Sequence, residues 1–302
     1  MKYSSKCLGI MVSLFFMGVY LGLPLPKDAR AENDALDYMC PPAPGTLIGF
    51  YYDHLSGHNV YSDGTKVGED FNFSGTLAAF RFAHFMNAGS ITMDPTIIIP
   101  VGQVSADGSD LGNQNLSSSG IADILLGSGF WFVNKPEKKT WVAFSQYIFV
   151  PTGEYSNTKA LNLGTNRWSF REELGFVKGL DNGIFLSGVA NVEFFLDNDD
   201  YGVNSVTQGK DPLYTLEGHV AYNLSPACFV SADYYFHFGG ETTVAGAKQD
   251  DKTNDHFAQL TVGYWLNQNY QLMVKYRAPL KTENGVETSD LGIRLIYYFQ
   301  QS

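Results

Sequence analysis

The chain has 302 residues, with 20 Lys plus Arg against 31 Asp plus Glu, a formal net charge of −11 and 15% aromatic residues. So acidic a balance excludes nucleic acid as a partner, because a phosphate backbone is met by a basic footprint. No Pro-, Gly- or Ser-rich linker separates halves and the chain beyond its first residues shows no helical period, which leaves a single all-β unit.

The chain opens with Lys2 and Lys6, continues through an apolar stretch from Leu8 to about Leu25, and reaches Ala29-Arg30-Ala31. That order of charge, apolar run and small residues reads as a secretory signal over 1–31, cleaved near Ala31. Loss of Lys2, Lys6, Lys27, Arg30 and Asp28 takes the net charge from −11 to −14. Cys40 and Cys228 then remain, either bridged in an oxidising compartment or as two separate thiols. Residues 32–44 read as a short periplasmic N-terminal segment and residues 45–302 as the folded unit, whose interior that segment either plugs or leaves open.

Period-two patterning predicts twelve strands, at 45–53, 75–86, 91–101, 120–133, 140–150, 167–178, 183–196, 212–224, 227–239, 256–267, 269–278 and 289–300. Short connections at 87–90, 134–139, 179–182, 225–226 and 268 alternate with long polar segments at 54–74, 102–119, 151–166, 197–211, 240–255 and 279–288. An even number of antiparallel strands, with short turns at one end and long loops at the other, predicts an outer-membrane β-barrel of a Gram-negative bacterium. The short turns and both termini are then periplasmic, and the long loops extracellular.

The eighth and ninth strands say which face is wet. Tyr214, Leu216, Gly218, Val220, Tyr222 and Leu224, then Cys228, Val230, Ala232, Tyr234, Phe236 and Phe238, share one parity without a charge. The other parity carries Thr215, Glu217, His219, Asn223, Ser231, Asp233 and His237, too many ionisable groups for a dry core but suited to a hydrated lumen. The final strand, DLGIRLIYYF from Asp290 to Phe299, puts Leu291, Ile293, Leu295, Tyr297 and Phe299 on the lipid face and resembles the C-terminal signal read by barrel-assembly machinery. Tyr51, Tyr52, Trp131, Trp141, Trp168, Tyr264, Tyr270 and Tyr297 are expected at the membrane interfaces.

Twelve strands lie between barrels whose side chains fill the interior and wide porins, so a narrow, lined passage is expected. By parity its lining takes Arg81, Asp123, Arg171 and Glu173 from the first six strands and Glu193, Glu217, His219, Asp233 and His237 from strands seven to nine. Gln259 comes next, and the last two strands add the bases Lys275, Arg277 and Arg294. The same parity points Trp131, Phe185, Phe195, Phe229, Tyr235, Phe257 and Trp265 inward, of which Tyr235, Phe257 and Trp265 are candidates to stack on planar apolar solutes.

No catalytic constellation emerges. The outer-membrane phospholipases use His-x-Ser, whereas His237 is followed by Phe238 and Gly239. Asp197 to Gly202 departs from a calcium loop at Tyr201, and His54 with His58 lacks a third firm ligand, so no metal and no cofactor is assigned. An outer-membrane lipid-modifying enzyme and a non-transporting structural barrel stand as alternatives to a channel.

At GIADILLGSGFWF (120–132) and VPTGEYSNTKALNLGTNRWSF (150–170) the sequence resembles the bacterial meta-pathway phenol-degradation proteins or transporters. Their G-x-x-D, P-T-G-x-Y, N-L-G-x-N and W-x-F elements fall here on Gly120 and Asp123, Pro151 to Tyr155, Asn162 to Asn166, then Trp168 and Phe170. The resemblance implies a porin-like outer-membrane barrel that admits small, often aromatic, nutrients, with membrane lipid and lipopolysaccharide around it and no catalytic residue. Within the motif loop Pro151 ends strand pairing, Gly153 and Gly164 are expected to permit tight turns, and Asn162 and Asn166 to brace the loop that carries Tyr155 and Trp168 over the mouth.

Overall fold

A sheet immersed in hydrocarbon has no solvent for its edge N–H and C=O groups, so it must close on itself. In the computed structural model, which describes residues 32–300, it does. The strands are β1 Gly45–Ser62, β2 Asn72–Ala88, β3 Thr96–Asp107, β4 Ile124–Lys135, β5 Thr140–Val150, β6 Ser169–Gly179, β7 Ile184–Phe195, β8 Leu213–Ser225, β9 Cys228–Gly239, β10 Thr253–Trp265, β11 Tyr270–Lys281 and β12 Gly285–Gln300. Each pairs antiparallel with the next, and β1 joins both ends of the sheet, with Gly49 opposite Arg81 of β2 and Ile296 of β12. The expected signal segment 1–31 lies outside the described residues.

The strand count matches the periodicity, but several long segments hold more structure than expected. Residues 54–74 are mostly strand, because β1 runs to Ser62, a short strand spans Thr65–Gly68, and β2 begins at Asn72. Residues 197–211 and 240–255 join in a four-stranded extracellular sheet of Asn198–Tyr201, Val206–Lys210, Thr242–Val244 and Ala247–Lys248. Beyond the bilayer both faces of a strand can be wet, so pairing continues where the apolar alternation stops.

Asp94 and Pro95 split the expected 91–101 strand into Ile91–Met93 and β3. The split leaves a seam in the wall. β3 pairs with β4 only at Thr96 to Gly127, Ile97 to Leu126 and Ile98 to Leu125. Above it, Val101 to Ala106 pair instead with the separate strand Leu116–Ile121. Pro100 sits at the switch without an N–H to give, and its carbonyl accepts from Ala122 N at 2.9 Å. On the outer wall beside the seam lies a mostly apolar groove of about 520 Å³ lined by Ala78, Val101, Gly102 and Ile121.

The outward parity is as expected: Leu216, Val220, Leu260 and Leu291 are exposed to the surroundings of the barrel. Stacked rings mark its two rims, Tyr214 on Phe238 at 5.1 Å and Tyr270 on Tyr297 at 4.6 Å. Of the expected girdle residues, Tyr51 and Trp141 turn inward instead, and Trp131 takes the inward side that its parity gives. Trp131 and Trp141 are buried, and Tyr51 shares its register position with the inward Arg294. All three lie on the lumen parity of strands whose ends they approach, and proximity to a strand end does not set the side.

Candidate functional site

The lumen is filled from its periplasmic end up to the level of His237 by the chain's own N-terminal segment. Residues 32–44, expected as a short periplasmic stretch, lie inside the barrel. Ala35, Tyr38 and Cys40 pack with Phe85, Trp131, Trp141, Val177, Phe229 and Tyr298 into an apolar core. Four polar contacts fix the plug's backbone and ring: Trp131 Nε1 donates to Tyr38 O at 2.9 Å, Tyr235 Oη to Asn33 O at 3.0 Å, Tyr298 Oη to Pro42 O, and Tyr38 Oη to Glu173 Oε1 at 2.6 Å. Gly175 makes room for the Tyr38 ring, since a Cβ there would collide with it. Cys40 and Cys228 are both free thiols.

Three plug carboxylates meet the basic strip that β11 and β12 present. Asp34 lies 3.4 Å from Lys275 and 3.3 Å from Arg294, and accepts from Gln259 at 3.1 Å. Asp37 takes the same guanidinium at 2.6 Å. Glu32 pairs with Arg277 and lies 2.9 Å from His237 Nε2. None of these three acids could be placed by period-two reading, because the segment that carries them is not a strand.

On the opposite wall the acids are already matched. Arg171 pairs with Glu193 at 3.1 Å, and Ser169 donates to the same carboxylate at 2.8 Å. Asn191 donates to Glu173 at 3.1 Å. His219 is held between Asp233, 3.0 Å from Nδ1, and Glu217, 3.5 Å from Nε2, as the β8–β9 register of His219 opposite Asp233 requires. Ser231 and Thr261 both donate to Asp233 Oδ2, each at 3.0 Å. Arg81 reaches Asp94 at 3.1 Å, a buried partner hidden from sequence reading by the strand break at Pro95.

Two expected lining residues lie elsewhere. Trp265 keeps the inward parity but stands at the periplasmic rim, 36% exposed. It is eight residues from Phe257, about 26 Å along the strand, so it cannot share a solute with Tyr235 and Phe257. Asp123 is in no strand. It is the clasp of the motif loop, accepting from Gly153 N at 2.9 Å, from Thr165 N at 2.8 Å and from Thr165 Oγ1 at 2.6 Å. The bend between Ile121 and Ile124 breaks the alternation on which its assignment rested.

That loop is tied down by hydrogen bonds at several points. Asn162 Oδ1 accepts from Ser156 N at 2.8 Å, and Asn166 Nδ2 donates to Asn198 Oδ1 at 2.8 Å, so both asparagines brace it as expected. Gly153 and Gly164 do something other than turn: their backbones abut, and a Cβ on Gly153 would lie 2.5 Å from Gly164 Cα. Leu161 drops into a second apolar core with Leu55, Phe71, Phe73, Val104 and Ala106. Tyr155 Oη donates to Asp200 O at 2.8 Å, tying the loop to the extracellular sheet, while Trp168 points outward. In that sheet the Lys248 ammonium, 2.5 Å from Glu241, holds the Glu241 carboxyl below the usual range.

Residues 56–295 match the family model described as "Putative MetA-pathway of phenol degradation". The chain belongs to this family. Its fold is that of an outer-membrane channel: the COG4313 outer membrane channel from Pseudomonas putida F1 is 27% identical, with 89% of this chain and 100% of that one covered at a TM-score of 0.84. More distant likenesses include a KdgM porin in complex with disordered oligogalacturonate, 8% identical over 83% of this chain and 99% of that one at a TM-score of 0.46. No curated protein matches the chain. Within this phenol-degradation family member, no group of three or more His, Cys, Asp or Glu among the described residues is placed to hold a metal.

Proposed function

We propose that the protein is a passive outer-membrane channel for small amphipathic or aromatic molecules of the phenol type. The observation that carries this is the lumen wall, where ionisable groups alternate in register with buried rings: His219 and Asp233 adjoin Tyr235, and His237 and Arg277 adjoin Phe257. Charges keep such a passage hydrated, and rings give planar solutes an apolar surface without a covalent step. A sugar or inorganic-ion pore has little use for the rings.

The same reading puts lipid and lipopolysaccharide against Leu216, Val220 and Leu260 and barrel-assembly machinery at the β12 terminus, with export and removal of a signal near Ala31. The test is solute flux. Reconstituted liposomes should swell faster in phenol and benzoate than in a sugar of similar size, and purified protein should not hydrolyse phospholipid. Equal rates for all solutes, or lipid hydrolysis, would overturn the reading.

A further inference from the structure

Arg277 sits on β11 opposite Asp290 of β12, on the lumen face. Its Cζ lies 5.3 Å from the Phe257 ring centroid and 5.9 Å from that of Tyr235, so two buried rings flank it. Asp290 approaches its Nη2 at 3.6 Å from β12. Its Nη1 is turned to a carboxylate that the barrel does not supply, that of Glu32 on the plug, whose other oxygen lies 2.9 Å from His237 Nε2. The His237 ring stands edge-on to Phe257 at 5.6 Å and 82°. One guanidinium nitrogen, an imidazole nitrogen and aromatic walls therefore converge on one carboxylate group, with Arg277 on one of its oxygens and His237 on the other.

From this geometry we infer that Arg277, His237, Phe257 and Tyr235 form a binding site for aryl carboxylates, and that Glu32 occupies it as a tethered competitor. The inference rests on the channel reading above and names a solute class within it. The chemistry is specific in both halves. Arg277 Nη1 and His237 Nε2 meet the two oxygens of a carboxylate from two sides, as they meet those of Glu32, and a phenol hydroxyl has one oxygen and no full charge to offer them. Rings beside the guanidinium offer an arene the edge and face contacts that an aliphatic carboxylate leaves unused. Glu32 supplies the carboxylate and no ring, so an arene carboxylate gains contacts that the resident group does not make.

Planar-bilayer conductance of the mature protein, with benzoate, acetate, inorganic phosphate and benzylammonium added in turn, tests this. Benzoate should block current at lower concentration than acetate or inorganic phosphate, neither of which meets the rings, and benzylammonium should not block. E32Q should lower the half-blocking benzoate concentration about tenfold, since a tethered group competes at millimolar effective concentration. R277Q should raise it by about tenfold or more, because the charge-assisted donor is gone. F257L should weaken benzoate block and leave acetate unchanged. Heat-modifiable gel mobility reports assembly of each variant, and R277K, which keeps the charge without the planar guanidinium, carries the same comparison should R277Q not assemble.

Benzoate block unchanged in R277Q or R277K overturns the site. Block unchanged in E32Q overturns the competitor. Equal loss of acetate and benzoate block in F257L overturns the aromatic selectivity. Should phenol pass while benzoate block ignores Arg277, only this inference falls; should no solute pass at all, the channel reading falls with it.

Discussion

Asp34 and Arg294, 260 positions apart in sequence, meet in the lumen with Nη1 3.3 Å from Oδ2. The contact joins a non-strand segment to the last strand of the barrel and so makes the plug part of the pore wall. Lys275, Gln259 and Asp37 share the arrangement, which spreads the charge over several partners.

Loss of the plug's carboxylates should open the pore. Breaking a buried pair by removing one partner costs about 3 kcal/mol, on the order of 100-fold in plug occupancy. D34N/D37N should therefore raise single-channel conductance. In a C228S background it should also expose Cys40, buried in the plugged state, to maleimide. Unchanged Cys40 labelling would show that the charges do not hold the plug.

Steric eviction should give the same result with no charge altered. G175V puts bulk where the Tyr38 ring lies, an overpacking penalty of about 1 to 3 kcal/mol. Conductance and Cys40 labelling should rise together while the barrel keeps its heat-modifiable mobility. A variant that conducts like the original would place Tyr38 elsewhere in the membrane-embedded protein.

The two parities should respond differently to substitution. V220R sets a charge on the lipid face, at about 2 to 4 kcal/mol near the midplane, and should block insertion. Glu217 is buried on the other face beside His219, so E217Q should assemble and change only ion selectivity. Folding yield into liposomes separates the two, and equal yields would reverse the face assignment.

The motif loop should come loose when its clasp is removed. D123A deletes three hydrogen bonds to the loop, each to a charged acceptor and worth about 1.5 to 3 kcal/mol. G153A drives a methyl into Gly164. Both should increase hydrogen exchange and proteolysis over 151–166 with the barrel intact. Protection equal to that of the original loop would remove Asp123 from this role.

Acid should release the extracellular sheet late. Lys248 holds the folded-state carboxyl of Glu241 below its unfolded value, so the tie is fully present above the unfolded range and is lost as pH falls through the depressed value. Exchange protection over 242–250 should therefore stay constant through neutral and mildly acidic pH and drop only below the ordinary carboxylate range. E241Q should show the reduced protection at every pH.

The barrel was legible in the sequence because lipid enforces it. Leu216, Val220 and Tyr222 must face hydrocarbon and Glu217 and His219 must not, so the period of two appears in the letters themselves. The same rule placed Glu193, Asp233, His237, Lys275, Arg277 and Arg294 inside, where all but the half-buried Lys275 are buried. It failed at Asp123, where a bend broke the alternation, and at Trp265, where parity gives the side but not the depth.

Alternation along a strand thus determined the number of strands, their two faces and the sign of charge on each wall, since those are set by local contact with lipid or water. Which charges meet, that Asp34 and Glu32 enter the pore, and that Gly153 rests on Gly164 were decided only by the closed tertiary structure. Those contacts join residues far apart in the chain, through segments with no repeating pattern, and no local periodicity encodes a distance across a lumen.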